Sequence, residues 1–95
     1  MEDLKLTFTE RGFGIFEFTD RYGSGCSIQK SSLATEDAIW FGVDYANPQI
    51  MGANGWENYP IPEDVLLSTR MHLTQEQVKK LLPILQTFAE TGDLE

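Results

Sequence analysis

His72 is the single histidine of the sequence, and its side chain is the one whose ordinary pKa lies nearest neutrality. In an extended chain, residues two apart share a face, so Arg70 and His72 would stand together and hold an anion between them. Acid–base catalysis would need a second group aimed at the imidazole, and none adjoins it in sequence. The duller reading is an exposed strand whose polar residues bond nearby loops. Gln29, Ser31 and Ser32 form a polar run. With Trp40 on a neighbouring strand, they have the groups to hydrogen-bond and stack a flat polar molecule such as a nucleotide; the alternative is ordinary cross-strand packing of the indole. Arg21 and Tyr22 offer a planar fork of donors and a rigid amphipathic ring, suited to gripping a ligand or partner, or else they are plain turn residues.

Other chemistry finds less support. Gly23-Ser24-Gly25 resembles part of a phosphate-cradling loop, but it is expected to join two antiparallel strands without the helix N-terminus that such loops rely on. Cys26 is the only cysteine. It has no basic neighbour to activate its thiol, so burial as a small apolar residue is favoured. One Cys and one His are too few for a metal site at usual ligand spacing, and no cofactor is expected. The carboxylate pairs Glu2-Asp3, Glu36-Asp37 and Glu63-Asp64 point apart on extended chain, making poor acid–base dyads.

Composition narrows the partners. Seven basic against fifteen acidic residues give a formal charge of −8, which disfavours a nucleic-acid backbone and an anionic lipid surface. The acids are scattered, so they read as a solvated surface, with mimicry of DNA as the minor reading. The apolar runs fall far short of the roughly 20 residues that cross a bilayer. No signal peptide is recognisable, and the expected setting is cytoplasmic. The terminal Leu94-Glu95 reads as a vector remnant ahead of a purification tag.

The elements that must position these residues follow from hydrophobic period. Ninety-five residues with 41% apolar and 12% aromatic content suit one domain, 1–95, with one core. Alternation predicts strands over residues 4–10, 13–19, 26–31 and 39–44, and a short last strand over 69–73. The second strand should be covered on both faces, with Phe16 and Phe18 on one side and Phe13 and Ile15 on the other. Cys26 and Ile28 point one way in the third strand, opposite Ser27, Gln29 and Ser31. In the fourth, Trp40 stands beside Gly42, which leaves room for something flat. Turn residues crowd residues 45–68, predicting a long loop whose Trp56 and Tyr59 either pin it or serve function. Thr74 and Gln77 form a capping box, with Leu73 and Val78 placed as a hydrophobic staple, and open a helix over 74–91. Val78, Leu81, Leu82, Leu85, Phe88 and Ala89 make an apolar stripe expected to lie across the sheet. Pro83 should bend this helix and Gly92 should end it. The fold class is therefore α+β: an antiparallel meander of about four to five strands packed by one C-terminal helix.

The stretches FTDRYGSGCSIQKSSLATEDAIWFGVD, residues 18–44, and STRMHLTQEQVKKLLPILQTFAETG, residues 68–92, resemble small uncharacterised proteins encoded by bacteriophages and prophages. The resemblance covers about half the chain and leaves residues 45–67 outside it. It rests on the RYG turn, the polar Ser-Ile-Gln strand and the RMHLT segment before the helix. It implies a phage setting, inside a bacterial host cell, and no assigned activity. Small size, acidity and the lack of a catalytic constellation then predict a non-enzymatic accessory protein that binds a host protein, such as a defence component. The alternative is a small-molecule or nucleotide-sequestering protein using Arg21, Gln29, Trp40, Arg70 and His72, aided by homodimer formation. A small hydrolase centred on His72 is a distant third.

Overall fold

The computed structural model describes residues 4–95; the Glu2-Asp3 pair lies outside them. Period-two alternation is realised in strands β1 (Thr7–Phe8), β2 (Gly14–Thr19), β3 (Gly25–Lys30) and β4 (Ala38–Val43). A hairpin of β5 (Gln49–Gly52) and β6 (Gly55–Asn58) follows, then β7 (Arg70–Thr74) and helix α1 (Gln75–Thr91). The main sheet has the order β1-β2-β3-β4-β7 and is antiparallel throughout. It is α+β, with one C-terminal helix.

Its turns are made locally. Between β2 and β3, Asp20 Oδ1 accepts from the backbone N–H of Tyr22 at 2.8 Å and of Ser24 at 3.0 Å, a side-chain mimic of a backbone turn. Gly23 supplies the positive φ of 83° that this reversal requires. The first strand is shorter than the alternation suggests, pairing β2 only at Thr7 with Ile15 and Phe8 with Gly14.

Register sorts the residues onto two faces. One carries the row Phe16, Ile28, Phe41 and Met71, directly opposite one another on four strands, flanked by Phe18, Cys26, Val43, Ile39 and Leu73. Phe18 and Phe41 meet edge to face at 6.3 Å, the geometry that aromatic quadrupoles favour. The other face carries Ile15, Gln29, Trp40 and His72 in one row, and Glu17, Ser27, Gly42 and Arg70 in the next.

Where the structure differs from the sequence reading is in what covers these faces. α1 begins as expected, with Thr74 as N-cap and a complete capping box. It runs unbroken through Pro83 to Gly92, which has φ 77° and donates its N–H to the Phe88 carbonyl at 2.8 Å. Yet no residue of α1 is buried, and its packing against the sheet is confined to β7 and the groove of Ile39, Leu73, Val78 and Leu82. The physical reason is the connection: Thr74 is at once the last residue of β7 and the helix cap, so no loop exists to swing the axis back over the strands. The Gln75 N–H is also tied to the Asp37 carbonyl at 3.2 Å. Only Cys26, Ala38, Ser27 and Ser31 are fully buried among the described residues. β2, expected to be covered on both faces, has only half-buried Ile15, Phe16 and Phe18.

The span 45–68, read as a loop, contains the β5–β6 hairpin, closed by Gly52 pairing with Gly55. The excursion returns to where it left, because Thr69 Oγ1 donates to the Asp44 carbonyl at 3.4 Å, beside the β4–β7 pairing.

Candidate functional site

The polar face of the sheet converges on one network. Arg70 on β7 donates through Nη1 to Gln29 Oε1 at 2.9 Å and to Ser27 Oγ at 3.3 Å, both on β3. Ser27 in turn donates to Asp44 Oδ1 at 2.5 Å. Ser27 is only 1% exposed, so its hydroxyl is held between a cation and an anion, and Asp44 reaches Arg70 through it. Charge-assisted bonds of this kind are the stronger class. The network joins β3, β7 and the residue just past the end of β4, although its members lie up to 43 residues apart in sequence.

Two rings stand beside it. Trp40 and His72, paired across β4 and β7, stack with centroids 3.9 Å apart and planes within 6°. The Arg70 guanidinium lies 5.6 Å from the indole centroid, within cation–π range. His72 Nε2 is 2.9 Å from Ser31 Oγ, and the buried Ser31 hydroxyl also accepts the Leu33 N–H at 3.2 Å. The imidazole is thus oriented by a ring on one side and a hydroxyl at its edge, and no carboxylate bonds it among the described residues.

Gly42 makes this closeness possible. A Cβ at Gly42 would sit 2.8 Å from the Thr69 carbonyl oxygen and 3.0 Å from Arg70 Cα, and its φ is 151°. The room beside Trp40 that the glycine leaves is therefore taken by the backbone of β7, not by space for a flat ligand. This corrects the sequence reading of Gly42.

Space for a ligand opens on the other side of Trp40. A cleft of about 350 Å³ is lined by Thr9, Glu10, Arg11, Phe13, Gln29, Ser32 and Trp40. The turn between β1 and β2 forms one wall: Thr9 Oγ1 accepts the Phe13 N–H at 3.1 Å, and Arg11 lies 5.5 Å from the Phe13 ring centroid. Among the described residues Arg11 has no ion-pair partner. The cleft offers two aromatic rings, one guanidinium, an amide and two hydroxyls, with Glu10 as its carboxylate.

Of the residues singled out from sequence, Gln29, Trp40, Arg70 and His72 are brought together. Arg21 and Tyr22 are not: their turn joins β2 to β3 at Gly25, four residues along β3 from Gln29, about 13 Å at the usual rise. Both are exposed there, Tyr22 by 87%. Cys26 is buried, and burial pushes its thiol above the ordinary value, with Asp20 and Asp44 adding to the shift. That is the opposite of activation. Sequence reasoning missed Asp44, Ser27, Arg11 and Phe13 as partners. Ser27 and Asp44 had a signal in their strand parity, whereas Arg11 and Phe13 had none beyond their place in a turn.

Among the described residues no group of three or more His, Cys, Asp or Glu is placed to hold a metal ion, and no helix is long and apolar enough to cross a membrane. Comparison with protein-family models, curated proteins and solved structures returned no match.

Proposed function

We propose that this protein works by binding rather than by catalysis, and that its ligand is a flat, polar, anionic small molecule of the nucleotide kind. The observation that carries this reading is the cleft beside Trp40, where an open aromatic environment and Arg11, which has no ion-pair partner among the described residues, adjoin the Arg70–Gln29 network. Aromatic faces take a base by stacking, guanidinium takes phosphate, and amide and hydroxyl groups fix orientation. A hydrolytic role gains little support: Ser31, the hydroxyl nearest His72, is buried and already accepts a backbone N–H, and nucleophile–base pairs work with a third orienting group. The phage resemblance supports a bacterial cytoplasmic setting, where sequestering a nucleotide signal is a use for a protein of this size.

Thermal melting against a panel of mono-, di- and cyclic nucleotides tests it. A ligand at 100 times its Kd adds about 2.7 kcal/mol, a rise of about 10 °C or more in a domain of this size. Trp40→Ala and Arg11→Ala should each abolish that rise. A panel that leaves the melting temperature unmoved sinks the proposal.

A second reading, binding a host protein, is favoured by the loops. Tyr22, Tyr45 and Tyr59 on loops and Trp56 on the β5–β6 hairpin are all exposed, and rigid aromatic rings are the side chains that dominate protein contacts. Recovery of one stoichiometric host partner whose capture is lost in Tyr22→Ala or Trp56→Ala would favour it over the nucleotide reading.

A further inference from the structure

Beyond the Ile39–Leu73 edge that α1 meets, the apolar face of the sheet has no layer over it among the described residues. Met71, in the row with Phe16, Ile28 and Phe41, is 56% exposed, and the other three are only half-buried. α1 repeats the pattern, with Leu85 and Phe88 each 54% exposed. Both surfaces open into one wedge of about 400 Å³, whose apolar lining is Ala38, Ile39, Leu73, Val78 and Leu82.

We propose that a second copy of this chain fills the wedge, the α1 stripe of each subunit lying against the Phe16–Met71 row of the other about a two-fold axis. The exposed area is large enough to supply a large partner surface. The chain exposes 8204 Å², about 2,700 Å² more than a compact monomer of this mass is expected to expose. Two copies shedding that excess would bury about 5,400 Å², the scale of an obligate homodimer. The radius of gyration, 16.4 Å, likewise exceeds the roughly 12.4 Å of a compact chain of this length.

The chemistry points to self-association. A helix stripe and an open sheet face are the two surfaces that pack on one another in layered folds, and this chain carries one of each. That is the self-complementarity an isologous contact needs. Lys30 is the only charged residue on the apolar face of β2, β3, β4 and β7, and it is already paired with Asp37 at 2.7 Å. Two chains of formal charge −8 repel elsewhere, so added salt should strengthen the contact.

Native mass spectrometry and sedimentation of the whole chain test this. The expected species is twice 10.8 kDa, its melting temperature rising over a 100-fold increase in concentration and its dissociation weakening with salt. Leu85→Lys should raise the dimer dissociation constant at least 100-fold; if that variant does not fold, the concentration dependence of the unmodified chain still decides. A single 10.8 kDa species with a concentration-independent cooperative melt overturns the proposal. So does an oligomer that Leu85→Lys leaves intact, or a monomer whose wedge is protected only by a different protein.

Discussion

Gly42 shows how much of the platform turns on one missing side chain. Its φ of 151° and the 2.8 Å approach of the Thr69 carbonyl to a would-be Cβ mean that Gly42→Ala strains the backbone and pushes β7 outward. The expected cost is about 1–3 kcal/mol from the backbone conformation alone, with further loss from the displaced strand. Chemical denaturation measures it, and a cost below the noise would show that β7 moves freely. The same substitution should separate Arg70 from Gln29 and weaken nucleotide-induced stabilisation. Gln29, Trp40, Arg70 and His72 were legible as a set because strand parity alone places them on one face. The Arg11–Phe13 wall was not, because it depends on how far a turn curls toward a strand two positions away in the sheet.

Among the elements, the helix start was the most readable, since a capping box is written in four consecutive residues. Thr74 accepts the Gln77 N–H at 3.2 Å and Gln77 Oε1 accepts the Thr74 N–H at 2.9 Å. Thr74→Ala should therefore cost about 1 kcal/mol, read as a lower melting midpoint, whereas Thr74→Ser should restore most of it. Equal loss in both variants would show that the hydroxyl is not the cap. The strand positions were legible within a residue or two of their ends for β2, β3, β4 and β7. The β5–β6 hairpin was hidden because its strands are four residues each and its alternation is broken by Gly52 and Gly55. The course of α1 was hidden for another reason: amphipathicity says that a helix has something to bury, not which surface meets it.

At the scale of the whole molecule the two faces of the sheet have separate destinies. The polar face, where Ser27 and Ser31 are buried under Arg70, Trp40 and His72 contacts, is organised within one chain. The apolar face, with its exposed Met71 and half-buried Phe41, is not. A subunit pairing through the second would leave the first open on both copies, so ligand stoichiometry should be one per chain.

The brevity of β1 carries a last consequence. It pairs β2 only as far as Ile15, so from Phe16 to Thr19 the outer rim of β2 has no ladder partner among the described residues, a template on which another extended chain can crystallise into fibrils. Glu17, exposed in the middle of that rim, is the carboxylate that β2 itself places there. Glu17→Val should shorten the lag of thioflavin-positive aggregation, and an unchanged lag would mean that the rim is sheltered by something other than charge.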